Sequence, residues 1–159
     1  MQRFKDKVAL VTGAGSGIGK ASAQRIAAEG GAVFCVDLQG EALDNTVSEI
    51  VSAGGVAAGR VCDISRVDDV EAAIAECVEK FGSLYALINM AGMLRFDDTE
   101  RLQQADWDRV IAVNLTGTMM LCRAALPHLL NTRGSIVNAA STAALSGLPS
   151  GAAYSASKG

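Results

Sequence analysis

The chain has 159 residues, half of them apolar and 19% charged, which is enough for one domain with its own core. A net charge of −3 and a pI near 5.1 leave no basic stripe, arguing against nucleic acid and anionic membrane as partners and for a small-molecule ligand. Cys35, Cys62, Cys77 and Cys122 form no Cys-x-x-Cys pair and His128 stands alone, so no metal site is expected and the thiols read as buried and free.

The charged start, Met1 to Lys7, runs straight into Val8-Ala-Leu-Val without the long apolar core of a signal peptide. No apolar run is read as reaching membrane-spanning length, and a reducing cytoplasm is the expected location.

Short apolar runs then alternate with amphipathic stretches, the pattern of buried parallel strands joined by helices. Strands are predicted at Val8–Thr12, Ala32–Asp37, Val56–Val61, Leu84–Asn89 and Ser135–Asn138. Helices are predicted at Gly17–Glu29, Glu41–Ala53, Val67–Phe81 and from about Ala105 to Leu130, with a polar loop leading to Tyr154. In the third helix Val67, Val70, Ile74, Cys77, Val78 and Phe81 recur at helical spacing and face the sheet. Gly30-Gly31, Gly54-Gly55 and Gly82 sit where helices should stop in left-handed caps. Successive right-handed crossovers put helices on both faces, giving a single doubly wound parallel α/β domain.

Thr12-Gly-Ala-Gly-Ser-Gly-Ile-Gly19 follows the first strand and opens a helix, where backbone N–H groups and the helix dipole hold a dinucleotide pyrophosphate. The spacing is Gly-x-x-x-Gly-x-Gly, with Ile18 in the slot where Gly-x-Gly-x-x-Gly has its third glycine. Gly13, Ser16, Gly17, Ile18 and Gly19 are therefore the expected coenzyme cradle. Asp37 ends the second strand, eighteen residues past Gly19. Its carboxylate can accept from ribose hydroxyls and would repel a 2′-phosphate, so NAD is expected over NADP; the bland alternative is an aspartate that caps the next turn.

Tyr154 and Lys158 are four apart, so on a helix their side chains share a face one turn apart. Free tyrosine ionises near pH ~10, and forming its anion at pH 7 costs roughly 4 kcal/mol. A neighbouring ammonium favours the phenolate and makes the phenol a candidate proton donor and acceptor. Ser141 lies thirteen residues earlier, just past the fifth strand at the carboxyl edge of the sheet. There a hydroxyl can polarise a carbonyl, although on residue type alone a loop-capping role is equally open.

Taken in order, Thr12-Gly-x-x-x-Gly-Ile-Gly19, Cys62-Asp-Ile64, Asn89-Met-Ala-Gly92, Val113-Asn-Leu115, Ser141 and Tyr154-x-x-x-Lys158 resemble the short-chain dehydrogenase/reductase family from Lys7 to the last residue. The resemblance implies a Rossmann-type fold and hydride transfer between NAD and a carbonyl or secondary alcohol. It implies that Asp63 and Ile64 contact the adenine, that Asn89 and Gly92 flank the cofactor, and that Tyr154 transfers the proton while Ser141 binds the reacting oxygen. Lys158 would bind the nicotinamide ribose, and Asn114 would support the lysine through water in a proton relay. Met90 stands where the family usually has a second asparagine, which puts local packing near the cofactor in question.

The family also implies roughly 250 residues, with a further strand, helices and a substrate-covering loop after the lysine. The expectation is thus a fold incomplete after its fifth strand, a bare strand edge, and a Tyr154 helix too short to form unaided. The complete protein is expected to be a homo-oligomer. Two other function classes stay open: a non-catalytic dinucleotide-binding module, and the sugar-nucleotide epimerase branch, whose loop usually reads Gly-x-x-Gly-x-x-Gly.

Overall fold

The computed structural model describes residues 2–159, so Met1 of the expected 1–159 domain lies outside the described residues. Five strands, β1 (Val8–Thr12), β2 (Ala32–Asp37), β3 (Val56–Val61), β4 (Ala86–Asn89) and β5 (Ser135–Asn138), form one parallel sheet in the order β3-β2-β1-β4-β5. The register sets Val11 beside Cys35 and Ile88, so the central strand carries the glycine loop at its carboxyl end, where the order reverses.

Strand alternation sorts the apolar residues onto two faces. Leu10, Phe34, Val36 and Leu87 face one way and pack under α3 (Val67–Phe81) and the later long helix, while Val11, Val33, Cys35 and Ile88 face the other way. That second face is covered by α1 (Gly17–Ala28) and α2 (Gly40–Ser52). Gly30, Gly54 and Gly82 take φ of 88°, 81° and 78°, as expected of helix stops.

Strand four begins at Ala86 instead of Leu84. The carbonyl of Leu84 accepts from Thr132 Oγ1 at 2.7 Å, so a side chain, not a neighbouring strand, takes it. The long helix also differs from the expected single run. It divides into α4 (Gln104–Ile111), a π-helical turn over Ala112–Gly117, and α5 (Thr118–Thr132). Asn114 and Gly117 are buried in that turn, and a Cβ on Gly117 would sit 2.7 Å from the Ile64 carbonyl oxygen. The inserted residue lets the chain pack this closely against the end of β3 and still continue as a helix.

Gln104–Thr132 is, contrary to expectation, long and apolar enough by length and composition to cross a membrane. In this fold its Val110, Met120, Leu121, Ala125 and Leu129 are buried. The segment expected as a loop before Tyr154 holds a short helix, α6 (Ala143–Ser146), and α7 (Ala152–Lys158) follows. Although too short to form alone, α7 is not alone: it packs on α4, α6 and the π-helical turn, and Ser155 Oγ accepts from the Leu148 N–H at 3.0 Å. All four residues of β5 are exposed, leaving that strand as the expected open edge.

Candidate active site

At the end of β1 the chain turns through Gly13 at φ 66°, and a Cβ there would lie 2.9 Å from the Ala91 nitrogen. A Cβ on Gly19 would lie 2.1 Å from the Gly13 carbonyl oxygen, so no larger residue fits either position. Thr12, fully buried, locks the loop to the end of β4, its Oγ1 accepting from Met90 N–H (3.2 Å) and Ala91 N–H (3.1 Å). Nothing about a threonine in a strand signals this role.

These turns open a cleft of about 570 Å³ at the amino end of α1. Of the expected coenzyme residues, Gly13, Ser16, Gly17, Ile18, Gly19, Asp37, Asp63, Ile64 and Gly92 line it, and Met90 lines it too. Val113, from the quoted Val113-Asn-Leu115 motif, also contributes, and so does Arg109, which the sequence did not single out. The cleft fits a dinucleotide: side-chain-free backbone lets a pyrophosphate approach, and the unpaired N–H groups of a helix start face it.

Asp37 Oδ2 accepts from the Gly15 N–H at 2.8 Å and Oδ1 from the Gln39 N–H at 2.9 Å. The carboxylate thus caps the turn and also faces the cleft, with further lone pairs on both oxygens. Across from it, the Ser65 hydroxyl donates to Asp63 Oδ1 at 2.6 Å and holds that carboxyl below its usual range. Burial opposes the shift, and the Ser65 N–H and the charges of Arg109 and Arg66 add to it.

Asn89 does not line the cleft. Its side chain is buried and braces the sheet, Nδ2 donating to Asn138 Oδ1 at 2.8 Å and to Cys122 Sγ at 3.7 Å. Its Oδ1 has no partner among the described residues.

On α7, Lys158 Nζ lies 6.0 Å from the centre of the Tyr154 ring and donates to the Ala139 carbonyl at 2.8 Å. Ser141 Oγ accepts from the Ala143 N–H at 3.1 Å, the capping contact, which leaves its own hydrogen to donate elsewhere. Asn114 contacts the lysine's helix instead of the lysine itself: Oδ1 accepts from Met93 N–H (2.8 Å), and Nδ2 donates to Met93 C=O (2.9 Å) and Ser157 Oγ (2.9 Å). Ser157, to which the sequence reading gave no role, is buried and also donates to the Tyr154 carbonyl at 2.8 Å. Gly92 joins the two halves, lining the cleft while a Cβ on it would be 3.8 Å from Lys158 Nζ.

A parallel sheet of this order, with a glycine-rich cleft at its switch point, is the Rossmann-type nucleotide-binding class. Within that class the chain belongs to the short chain dehydrogenase family, whose model matches residues 7–159. It is 39% identical to 2-(S)-hydroxypropyl-CoM dehydrogenase 3 of Xanthobacter autotrophicus, covering 99% of this chain and 62% of that one. It is 42% identical to the 3beta-hydroxysteroid dehydrogenase of Mediterraneibacter gnavus, covering 99% and 58%. Among solved structures, an NAD+-bound xylitol dehydrogenase superposes with a TM-score of 0.94 at 36% identity, covering 98% and 61%. The chain therefore spans about three fifths of the length of these relatives.

Proposed function

We propose that these 159 residues are the coenzyme-binding, acid–base part of an NAD-dependent oxidoreductase acting on a carbonyl or secondary alcohol. The observation that carries the reading is the shared position of Gly92, which borders both the glycine-loop cleft and the lysine one turn from Tyr154. Coenzyme and proton-transfer group would thus meet at one point.

When bound, the nicotinamide takes up or supplies the hydride at the carbinol carbon. In the oxidative direction, Tyr154 as phenolate takes the hydroxyl proton as the carbon–oxygen double bond forms; in the reductive direction it returns that proton. Ser141 donates a hydrogen bond to the same oxygen. Lys158 sets its ammonium 6.0 Å from the centre of the Tyr154 ring and reaches the ribose of the nicotinamide half. Asn114 fixes the helix carrying both and anchors the relay that resupplies the proton. Gly13, Ser16, Gly17, Ile18 and Gly19 hold the pyrophosphate, while Asp63 and Ile64 border the adenine. Asn89 supports the coenzyme side from within the sheet.

Asp37 favours NAD, because a second negative group beside its carboxylate would be repelled. The protein is assigned to the cytoplasm and, complete, to a homo-oligomer. The test is NAD+ binding by calorimetry beside NADH formation from secondary alcohols, using the protein as its gene encodes it. Binding with turnover is the expected result. Binding without turnover would leave a dinucleotide-binding module, and no binding would overturn the reading.

A further inference from the structure

We infer that Arg109 closes the adenine end of the cleft, laying its guanidinium plane over the base of the dinucleotide, an inference that rests on the coenzyme reading above. Arg109, Val113 and Gly117 recur every fourth residue along α4 and the π-helical turn, so they share one stripe. Gly117 seats that stripe on the end of β3, since only a residue without a side chain lets the Ile64 carbonyl oxygen lie 2.7 Å from the Cβ position. From this fixed contact Val113, half-buried against the core, and then Arg109, exposed, continue along the cleft. The guanidinium stands near enough to Asp63 for its charge to act on that carboxyl.

Two features mark this side chain as available to a ligand. Among the described residues it is the one cationic group that lines the cleft, facing a ligand that brings both negative charge and a flat aromatic base. Among the same residues it also has no ion-pair partner, whereas Arg66, three residues from Asp63, is paired with Asp69 at 3.8 Å. An unpaired arginine on an open surface is ordinary; one on the wall of a dinucleotide cleft has something to cover.

Position decides between phosphate and base. The pyrophosphate has its donors at the start of α1, around Ser16 and Gly17, whereas Arg109 stands with Asp63 at the end of β3, the adenine side. A guanidinium is planar and weakly hydrated, so it can stack on an aromatic face while its edge N–H groups stay directed to a carboxylate, here Asp63. Val113, one turn further in, supplies apolar surface beside the same base.

The experiment is calorimetry with NAD+, ADP and nicotinamide mononucleotide on the protein as its gene encodes it and on Arg109→Ala, with urea midpoints to report that the variant folds. Arg109→Ala should raise the Kd for NAD+ and for ADP by about three- to fivefold, the size of an exposed guanidinium–ring contact, and leave the Kd for nicotinamide mononucleotide unchanged. That ratio should hold between roughly 0.05 and 0.5 M NaCl, because a stacking contact is not screened as a surface charge pair is. Unchanged affinity for ADP, a mononucleotide weakened as much as ADP, or a ratio that vanishes in salt, the mark of a phosphate contact, overturns the inference and leaves the oxidoreductase reading standing. No NAD+ binding by the unsubstituted protein overturns both.

Discussion

Asn114 Nδ2 donates to Ser157 Oγ at 2.9 Å, tying the π-helical turn to the helix that carries Tyr154 and Lys158 across 43 residues of sequence. Because the same carboxamide also holds both backbone groups of Met93, one buried side chain ties the segment after β4 and the helix of Tyr154 and Lys158 together.

Asn114→Ala removes three hydrogen bonds and strands the Met93 amide and carbonyl. Leaving buried polar groups unpaired costs about 1–3 kcal/mol, so urea unfolding should show a loss of that order. Turnover should fall further than stability accounts for, because α7 loses its anchor; Ser157→Ala should do the same to a smaller extent.

Asp37→Ser tests coenzyme choice. Removing the carboxylate that faces the cleft and accepts from the Gly15 N–H should lower the ratio of NADP+ to NAD+ dissociation constants by about tenfold or more, read by calorimetry with each coenzyme. An unchanged ratio would assign Asp37 to turn capping alone.

Burial pushes the Cys35 and Cys77 thiols up to about 12 and Cys62 up to about 11, the last with help from the nearby Asp69 charge. Only a thiolate attacks a disulfide reagent, so these three should stay silent in the native protein. Cys122 is partly exposed and should react first. Titration with a thiol reagent should show one fast equivalent that Cys122→Ser abolishes, and four equivalents after denaturation.

Glu29 receives hydrogen bonds from Arg3 and Arg25, and the Arg3 bond foremost lowers its carboxyl to about 2. The unfolded carboxyl titrates near ~4.3, so the stabilisation is full above that value and is lost as pH falls from there towards about 2. Urea midpoints of the native protein and Glu29→Gln, measured from neutral to acid, should converge over that window and stay apart above it.

The sheet was legible because most of its strands are short, mainly apolar runs flanked by glycines, and the alternation that sends Leu10 to one face and Val11 to the other follows from the strand period alone. The glycine loop at the start of α1, the place of Asp37 at the end of β2 and the shared helix of Tyr154 and Lys158 were legible because each depends on local geometry. The π-helical turn was not, since one inserted residue hardly disturbs an apolar helical pattern. The bracing roles of Thr12, although it opens the quoted glycine motif, and of Ser157 were hidden for a different reason: a buried hydroxyl joining distant segments has no signature in its own neighbourhood. Asn89 sits beside the cleft in sequence yet turns into the sheet, a direction that motif spacing does not encode.

The central claim is that Tyr154 moves the proton at an NAD+ site, and Tyr154→Phe tests it most directly, because it deletes one oxygen and keeps the ring. With the protein as its gene encodes it, kcat should fall by at least about a hundredfold while the Kd for NAD+ changes less than about threefold. Activity within about tenfold of the unsubstituted enzyme would contradict the assignment.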